Sequence, residues 1–521
     1  MRDGIAWSSD LVGLARRFGG RVAATDGIAG LDFAGLSARA HGLARRLLAE
    51  GLRAGEPVAS LVPNGPDAAW VSFGLTIAGA AETPVNVAAT DAELAWYARL
   101  ADFRSVVAPA AAAARLTGLG LSPLALEAVA PEVDQAPLPP VPAEAWGRIM
   151  FTSGTTGRPK AVVHGHGGRW TAHLLQRATL PFAPAPGERL LLMTPFPHGA
   201  SLLTYAWLDY GGEVVLLPGV LPERIAPLLD AGALAAIFAP PTVLAKLLAL
   251  FPDRRVEGVR CVLCGTQALT PELHARAVAA FGPVVRVTYG MTECFNPITV
   301  LAPPDLAEAM AETAAGAAGG ACVGWPAPGV EVAIHTAAEE DGAALPAGGV
   351  GEIRLRARQM HDGIIGPDGF RARVAGAWHR TGDLGRMDVR GRLWLAGRAA
   401  DVIKTGGYRV HPAEVETALE GAAGAGRALC VLGLPSDYWG EVIVAVAEGA
   451  APGWEAEASR RAEELAKYKR PRAWLSLAAL PRNAQGKVVR ARLREAILAD
   501  YALEDGPHPR LSPRRGAAGP G

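Results

Sequence analysis

The stretch "FTSGTTGRPKAVVH", residues 151–164, places hydroxyl side chains, two glycines and two cationic side chains in one short loop. Glycines let the backbone approach a ligand closely, hydroxyl groups donate hydrogen bonds, and a lysine adds positive charge. This composition predicts a loop that holds a phosphate group. Its candidate residues are Ser153, Gly154, Thr155, Thr156, Gly157 and Lys160.

Two well-known loops do not fit this stretch. A Walker A loop needs GxxxxGK[ST], but Gly154 is followed by Gly157 at the wrong spacing. A nucleophile elbow needs GxSxG, but Phe151 stands two residues before Ser153, where the first glycine should be. The stretch is therefore a phosphate loop of another kind or an ordinary loop rich in Ser, Thr and Gly.

The surrounding sequence alternates between strand and helix patterns. The strand-like run "WGRIMFT" (146–152) leads into the loop, and "FAGLSARAHGLARRLLAEGL" (33–52) has helical spacing of its apolar residues. Short apolar runs such as "EPVASLVPN" (56–64) and "RLLLMTPF" (189–196) predict further strands. This alternation predicts an α/β fold of parallel βαβ sheets, with the loop at the carboxyl edge of the strands.

The character of the chain changes in its last third. After about residue 320, short strands with tight turns predict a small antiparallel or barrel-like piece that completes a large domain, residues 1–396. A smaller α+β unit follows over residues 401–505. The tail, residues 506–521, is rich in Pro, Gly and Arg, a composition typical of disorder.

Composition narrows the class of protein. At 521 residues the chain is too long for one compact core. Its 51 basic residues balance 51 acidic ones, so charge gives no argument for a nucleic-acid or membrane partner. No apolar run is long enough for a transmembrane helix, and the N-terminus lacks a signal-peptide pattern. We expect a cytoplasmic, multidomain protein.

The five cysteines fit that expectation. An odd, sparse set is typical of reduced thiols in the cytosol rather than of a disulfide framework. Cys261 and Cys264 form a CxxC, but no second ligand pair with zinc spacing follows. We expect both to be core residues of a buried strand.

The loop resembles the phosphate loop of the adenylate-forming superfamily, which contains acyl- and aryl-CoA synthetases, peptide-synthetase adenylation domains and luciferases. Other stretches resemble that family's later motifs, in the same order. These are "VTYGMTE" (287–293), "WHRTGDLG" (378–385), "GRAADVIKTGGYRVHPAEVE" (397–416) and "LPRNAQGKVVR" (480–490). On these motifs the chain is identified as a member of the superfamily.

The resemblance implies an ATP-dependent carboxylic acid ligase. It would form an acyl-adenylate with release of pyrophosphate, then an acyl- or aryl-CoA thioester with release of AMP, and would use ATP, Mg²⁺ and coenzyme A. Two alternatives stay open. The enzyme could pass the acyl group to a carrier-protein thiol or an amine, or the chain could be a catalytically silent adenylate-binding protein.

The resemblance also implies roles for single residues. Lys487, Glu293 and Thr156 would be catalytic, with Lys487 at the α-phosphate and Glu293 binding Mg²⁺. Tyr289 would stack on adenine, and Asp383 with Arg398 would hold the ribose. The full nucleotide-binding set is Ser153, Gly154, Thr155, Thr156, Gly157, Lys160, Gly265, Thr266, Tyr289, Gly290, Thr292, Asp383, Arg398 and Lys487.

The acid pocket is implied by "TPFPHGAS" (194–201), which resembles the family segment at its border. His198, Gly199 and Gly265 would line it. Amino-acid-activating members commonly carry an Asp in this segment, whereas here Gly199 follows His198. We therefore expect a small carboxylic acid that is not an α-amino acid.

The second half-reaction is expected to involve movement of the small domain about a hinge at residues 397–400. Lys404, Gly406 and Gly407 would then line the tunnel for the pantetheine arm of coenzyme A. Many relatives have Asp or Lys at the hinge position that is Ala400 here. This departure keeps open the final acyl acceptor, an acyl carrier protein included.

Overall fold

The computed structural model describes most of the chain, namely residues 4–134, 136–152, 159–252, 254–315, 320–336, 342–424, 426–483 and 486–514. Helices and strands alternate in its first three hundred residues, and strands dominate afterwards. The predicted α/β class, with an added antiparallel piece and a small C-terminal domain, is confirmed.

The helices begin where local chemistry favours a first turn. The described part contains α1 (Trp7–Phe18), α2 (Phe33–Ala49), α3 (Pro66–Ile77), α4 (Asp91–Ala101), α5 (Ala113–Gly118), α6 (His166–Ala178), α7 (Ser201–Leu208), α8 (Pro222–Asp230), α9 (Pro241–Leu250), α10 (Pro271–Phe281), α11 (Pro303–Ala314), α12 (Pro412–Ala418), α13 (Trp454–Ala462) and α14 (Arg490–Asp500). Proline opens six of them, because its fixed φ suits the first position and its missing N–H has no partner there anyway. Thr90 and Glu93 form a capping box on α4.

The large domain contains two mainly parallel sheets. Its first strands are β1 (Val22–Thr25), β2 (Gly30–Asp32), β3 (Pro57–Ser60), β4 (Ala81–Pro84), β5 (Ser105–Ala108), β6 (Ser122–Ala125), β7 (Trp146–Thr152), β8 (Lys160–Gly165), β9 (Arg189–Leu192), β10 (Glu213–Leu216), β11 (Leu234–Phe238), β12 (Cys261–Cys264) and β13 (Val285–Val287). One sheet has the order β13-β12-β11-β9-β10-β1-β2 and is parallel except at β1–β2. The predicted strands at β3 and β9 are present.

The remaining strands are shorter and mostly antiparallel. They are β14 (Thr299–Val300), β15 (Ala321–Pro326), β16 (Val330–His335), β17 (Gly351–Ala357), β18 (Gly363–Gly366), β19 (Gly369–Ala372), β20 (His379–Met387), β21 (Leu393–Arg398), β22 (Ile403–Thr405), β23 (Tyr408–Val410), β24 (Leu429–Ser436), β25 (Gly440–Glu448), β26 (Ala473–Leu477), β27 (Tyr501–Glu504) and β28 (Arg510–Pro513). An antiparallel sheet of order β14-β15-β21-β20-β17-β16 is the barrel-like piece predicted after residue 320. Strands β22 to β26 form the sheet of the small domain.

The second large-domain sheet holds the predicted phosphate loop and differs from the expected arrangement. Its order is β19-β18-β8-β7-β4-β3-β5-β6. The loop does follow the carboxyl end of β7, which runs parallel to β4. The chain then returns through β8, antiparallel to β7, instead of entering a helix directly. The two strands form a hairpin whose apolar residues are buried in the core of this sheet. After the loop the chain therefore forms an antiparallel strand where a βα crossover would have a helix.

The tail is more ordered than its composition predicts. Residues 506–521 were expected to be disordered, but Arg510–Pro513 pairs with β27 as an antiparallel hairpin. Leu503 and Leu511 face each other in this hairpin and pack on the small-domain core, and Asp505 accepts hydrogen bonds from the 436–438 turn. A pair of apolar residues in a Pro- and Arg-rich segment therefore suffices to dock residues 506–514. The end of the chain from residue 515 lies outside the described residues.

The cysteine prediction is confirmed for β12. Cys261 and Cys264 are both buried and free. Burial raises the pKa of each thiol to about 12, so both stay protonated and behave as small apolar groups.

In the sheet that contains β7, a buried ion triad joins strands β4 and β7 to helix α6. Glu82 on β4 lies 3.1 Å from Arg148 on β7 and 2.8 Å from Arg169 on α6, measured between carboxylate oxygen and guanidinium nitrogen. Glu82 and Arg148 are each 1% exposed. Burying charges is tolerated only when they are paired and hydrogen-bonded. The single carboxylate therefore balances part of the charge of two guanidinium groups.

Replacing this carboxylate should destabilise the fold strongly. Glu82→Gln leaves two buried guanidinium groups without an anion, and we expect a loss of about 3–5 kcal/mol in unfolding free energy. Urea unfolding followed by fluorescence measures it. The matched control is Glu50→Gln, which removes the exposed pair with Arg46 and should cost below about 0.5 kcal/mol. Equal effects of the two substitutions would refute the triad's structural role.

Candidate active site

Tyr289, Asp383 and Arg398 meet at one end of the antiparallel sheet. Pairing of β20 with β21 sets Asp383 opposite Arg398. The Arg398 Nε lies 3.0 Å from Asp383 Oδ1, and the Tyr289 hydroxyl donates to Asp383 Oδ2 at 2.5 Å. Tyr289 and Asp383 are only 6% and 9% exposed. Each carboxylate oxygen keeps a further lone pair, so Asp383 can still accept from a ligand hydroxyl.

The Tyr289 phenol acts only as a donor at this position. Burial, followed by the Asp383 carboxylate, raises its pKa well above the ordinary value. The backbone at Tyr289 is also held in place, because its N–H donates to the Thr299 hydroxyl at 3.1 Å. The sequence placed Tyr289 and Asp383 in one site, and the structure joins them directly.

Lys487 lies in the same place, although it belongs to the small domain. Burial, followed by the positive charge of Arg398, lowers the pKa of its ammonium group, while Asp383 raises it. Its turn is closed by a bond from the Lys487 N–H to the Asn483 Oδ1 at 2.9 Å. The adjacent Gly486 rests on α9 of the large domain, where an added Cβ would lie 3.5 Å from Thr242 Oγ1. The small domain is thus docked with the Lys487 ammonium group within electrostatic range of Asp383 and Arg398.

Glu293, on the loop after β13, interacts electrostatically with Asp383 and Arg398. Burial raises the pKa of its carboxyl, and the cations Arg398 and Lys160 oppose that effect. Lys160 begins β8 directly after the phosphate loop, across from Thr152. The Glu293 carboxylate therefore interacts electrostatically both with Lys160 and with the Asp383–Arg398 pair.

Glu293 also suits a magnesium ion in part. The described residues contain no group of three or more His, Cys, Asp or Glu that could hold a metal ion by themselves. Mg²⁺ is commonly bound by one or two carboxylates with the remaining ligands from phosphates and water. One hard carboxylate beside a phosphate loop fits that pattern.

His164 holds the Glu293 loop in place, a role that the sequence analysis missed. Its Nε2–H donates to the Thr292 carbonyl at 2.8 Å, and its ring stacks on Phe295 with centroids 3.8 Å apart. Burial lowers the pKa of His164 to about 3, so the ring stays neutral. The available signal was a polar residue within the otherwise apolar run of β8.

Gly265 and Gly290 are needed where the backbone passes close to its neighbours. A Cβ at Gly265 would lie 2.9 Å from the Thr288 carbonyl oxygen, and one at Gly290 would overlap the Asn296 side chain. Thr266, the next residue after Gly265, has a positive φ of 69° and is exposed. Such a conformation is strained for a β-branched residue and is concentrated at functional sites.

The segment expected to border the acid pocket is a π-helical turn, Phe196–Ala200. Asn64 Oδ1 accepts from the Phe196 N–H at 2.8 Å, and Arg148 donates to the Pro197 carbonyl at 2.8 Å. A Cβ on Gly199 would lie 3.5 Å from the Phe238 ring. The His198 side chain lies outside the described residues. Leu202, on the helix that follows the turn, belongs to a buried apolar cluster with Ala172, Phe295 and Met150.

One group of predicted residues is not brought into this site, and a second group lies outside the described residues. Lys404, Gly406 and Gly407 lie on the exposed β22–β23 hairpin of the small domain, where Gly406 donates to the Trp439 carbonyl at 2.8 Å. Nothing lies within 4 Å of an added Cβ on Gly407. Ser153, Gly154, Thr155, Thr156 and Gly157 lie outside the described residues, so their role stays a prediction.

Among the described helices, none is long and apolar enough to cross a membrane.

Comparison with known proteins gives one consistent family. The model of the family described as "AMP-binding enzyme" matches residues 14–365. A 2-succinylbenzoate–CoA ligase of Geobacillus kaustophilus is 31% identical over 488 residues, which cover 92% of this chain and 95% of that protein. A sulfoacetate–CoA ligase of Cupriavidus necator is 31% identical, with 89% and 92% covered. A 4-chlorobenzoate–CoA ligase of an Arthrobacter species is 29% identical, with 97% and 96% covered.

Solved structures agree with the sequence relatives. The o-succinylbenzoate CoA synthetase from Bacillus subtilis, in complex with its acyl-adenylate intermediate, superposes with a TM-score of 0.82 at 25% identity, covering 95% of this chain and 99% of that one. ATP-bound MatB from Rhodopseudomonas palustris gives a TM-score of 0.77 at 25% identity, with 94% and 98% covered.

Relieving the strain at Thr266 should stabilise the protein. Because glycine adopts a positive φ freely, Thr266→Gly should raise the unfolding free energy by about 0.5–1 kcal/mol, after its larger entropy loss on folding is subtracted. Urea unfolding measures the change. Asp102, with φ of 52° at the end of α4, provides the control. Asp102→Gly should gain less, because Asp tolerates the left-handed region better. A loss of stability in Thr266→Gly would contradict the strain argument.

Proposed function

The chain belongs to the family of AMP-binding enzymes, and from that premise we propose that it is an AMP-forming acid–thiol ligase which converts a carboxylic acid into its coenzyme A thioester. It uses ATP, Mg²⁺ and coenzyme A. The observation that supports the assignment of roles is the electrostatic interaction of Lys487, a residue of the small domain, with Asp383 and Arg398 of the large domain. A silent adenylate-binding protein would have no need to keep a half-buried lysine there, so we do not favour that alternative.

In the first half-reaction, an oxygen of the acid's carboxylate attacks the α-phosphorus of ATP. An O–P bond forms while the bond to pyrophosphate breaks. Asp383 accepts hydrogen bonds from the ribose hydroxyls, supported by Arg398, and Tyr289 lies against the adenine. Lys487 stabilises the charge that grows on the α-phosphate, since fixed charges at such a position lower the barrier without reorganising. Glu293 would hold Mg²⁺, which would offset charge on the phosphates.

In the second half-reaction, the thiol of coenzyme A attacks the acyl carbon. A C–S bond forms, the bond to the phosphate oxygen breaks, and AMP leaves. Lys404, Gly406 and Gly407 are exposed on the β22–β23 hairpin of the small domain in this structure. They can line the pantetheine tunnel only after the small domain rotates. The hinge at residues 397–400 includes Ala400, which lies in the exposed turn Ala399–Asp401.

The acid is small and is not an α-amino acid. Described residues around the Phe196–Ala200 turn include no carboxylate placed to pair with an ammonium group, and Gly199 follows His198. Relatives named for succinylbenzoate, chlorobenzoate and sulfoacetate support acids of aryl and short-chain type. Transfer to a carrier-protein thiol or an amine is the second candidate, because Ala400 departs from the usual hinge residue.

Removing the Lys487 ammonium should abolish most of the first half-reaction. We expect Lys487→Ala to lower acid-dependent pyrophosphate release by about 10²-fold or more, the scale of one lost electrostatic contact in a transition state. The measurement is pyrophosphate release across aryl and aliphatic acids, with coenzyme A present or absent, and mass analysis of the thioester. In the wild type, coenzyme A should stimulate turnover.

Two variants serve as controls for Lys487. Lys467→Ala removes an exposed lysine of the same domain and should leave the rate unchanged. Lys487→Arg keeps the charge. Because burial lowers the pKa of Lys487, wild-type activity should fall at alkaline pH below the ordinary lysine pKa, and the arginine variant should keep its activity there. A near-normal rate in Lys487→Ala would refute the role, and burst release that stalls despite coenzyme A would favour another acceptor.

Filling the proposed tunnel should affect only the second half-reaction. Nothing lies within 4 Å of a Cβ at Gly407, but its positive φ of 83° means that a side chain also strains the turn. Gly407→Leu should therefore be compared with Gly407→Ala, which carries the same strain and little bulk. We expect thioester formation to fall about tenfold further in the leucine variant, while adenylate formation stays equal in both. Equal loss of both steps would contradict the tunnel assignment.

A further inference from the structure

A small internal cavity lies beside the turn that borders the predicted acid pocket. Residues of α1, β7, α6 and α7 surround it. Its lining includes Trp7, Arg148, Arg169, His173, Ser201 and Tyr205. The cavity admits little more than one water-sized group, so it suits a terminal oxygen rather than a whole ring.

Polar atoms without partners surround this cavity. Within the described part of the chain, Trp7 Nε1, Arg148 Nε and His173 Nδ1 are buried and have no hydrogen-bond partner. They come from three different elements and share this one cavity. Buried polar groups are almost always paired, and an unpaired one costs free energy. Trp7 Nε1 and Arg148 Nε can only donate, so the lining lacks an acceptor for these two groups.

The charge of the lining points to an anionic acceptor. Arg148 and Arg169 share the single carboxylate of Glu82, which leaves one positive charge unbalanced. The nearest other acid, Asp209, is bound by His173 at 2.7 Å and by the half-exposed Arg177 at 3.1 Å. Asp10, an exposed residue of α1, interacts with that outer group and not with Arg148. A water molecule would satisfy the donors, but it would leave the buried charge uncompensated.

Two contacts place the cavity next to the turn that is expected to border the acid pocket. Arg148, whose Nε is free, donates to the carbonyl of Pro197 in the Phe196–Ala200 turn. Leu202 lines the cavity and also packs with Ala172 and Phe295 in an apolar cluster. An acid bound beside the Phe196–Ala200 turn would therefore have this cavity within a short distance.

We propose that this cavity is the subsite for a second anionic group on the acid substrate. A terminal carboxylate or sulfonate oxygen accepts from Arg148 and Trp7 and balances the guanidinium pair, while the other carboxylate of the same molecule is activated. The proposal rests on the proposed function and narrows its substrate to acids that carry an anion at both ends.

Matched pairs of acids test the subsite. The pairs are adipate with hexanoate, suberate with octanoate, and terephthalate or 4-sulfobenzoate with 4-methylbenzoate. For at least one pair, the doubly anionic acid should have a kcat/KM for pyrophosphate release about tenfold or more above that of its methyl-terminated partner, the scale of one charge-assisted hydrogen bond. In Arg148→Gln this ratio should fall towards one. A ratio near or below one in the wild type for every pair would overturn the proposal.

A second buried arginine controls for general damage to the fold. Arg392 is 4% exposed and paired with Asp388 and Glu312 in the antiparallel sheet. Arg392→Gln should lower stability and leave the preference between acids unchanged. If Arg148→Gln slows both acids of a pair equally, Arg148 has only a structural role and the proposal fails.

Binding to the wild type decides the matter without turnover. Calorimetric titration without ATP should give a dissociation constant about tenfold lower for one doubly anionic acid than for its partner. This outcome would support the subsite even if Arg148→Gln did not fold. It would also stand if no acid released pyrophosphate, a result that would overturn the proposed function alone. Equal or absent binding of both classes would overturn the subsite.

Discussion

The carboxylate of Glu82 is the interaction on which the centre of the large domain depends. It sits on β4 between Arg148 of β7 and Arg169 of α6, and all three side chains are buried. Arg169 continues to the Tyr205 hydroxyl of α7, and Arg148 continues to the Pro197 carbonyl. One buried anion therefore fixes strand β7, helix α6 and the Phe196–Ala200 turn, the elements next to the predicted phosphate loop and acid pocket. Because unpaired buried charges are costly, these elements can shift only together.

Asp383 plays a comparable part at the junction of the two domains. It joins a side chain from the β13 loop, Tyr289, to one from the end of β21, Arg398, and it faces Lys487 of the small domain. The end of β21 is also where the chain leaves the large domain. A ligand that binds Asp383 is therefore placed to influence the position of the small domain. The hairpin that carries Gly406 and Gly407 is exposed on the small domain.

Much of the fold was predictable, because strands and helices of the large domain repeat with clear periods. The antiparallel pairing of β7 with β8 was not, since a short apolar run gives no sign of its partner's direction. The ordered hairpin at residues 501–513 was missed because composition outweighed two apolar residues. Among site residues, Tyr289, Asp383, Arg398 and Lys487 came from motifs. His164 and Thr266 carry no motif, and their importance rests on a stacking contact and a backbone angle.

The sequence is enough to assign the family of reaction, because the residues of the ATP-handling motifs occur in it in the expected order. It also determined the alternation of layers, which follows from hydrophobic period. The pairing of charged residues that are far apart along the chain depends on tertiary packing. Glu82, Arg148 and Arg169 look like ordinary surface residues in the sequence, and none has a partner nearby along the chain. Their burial around one cavity is set by packing of β4, β7 and α6, which no local pattern encodes.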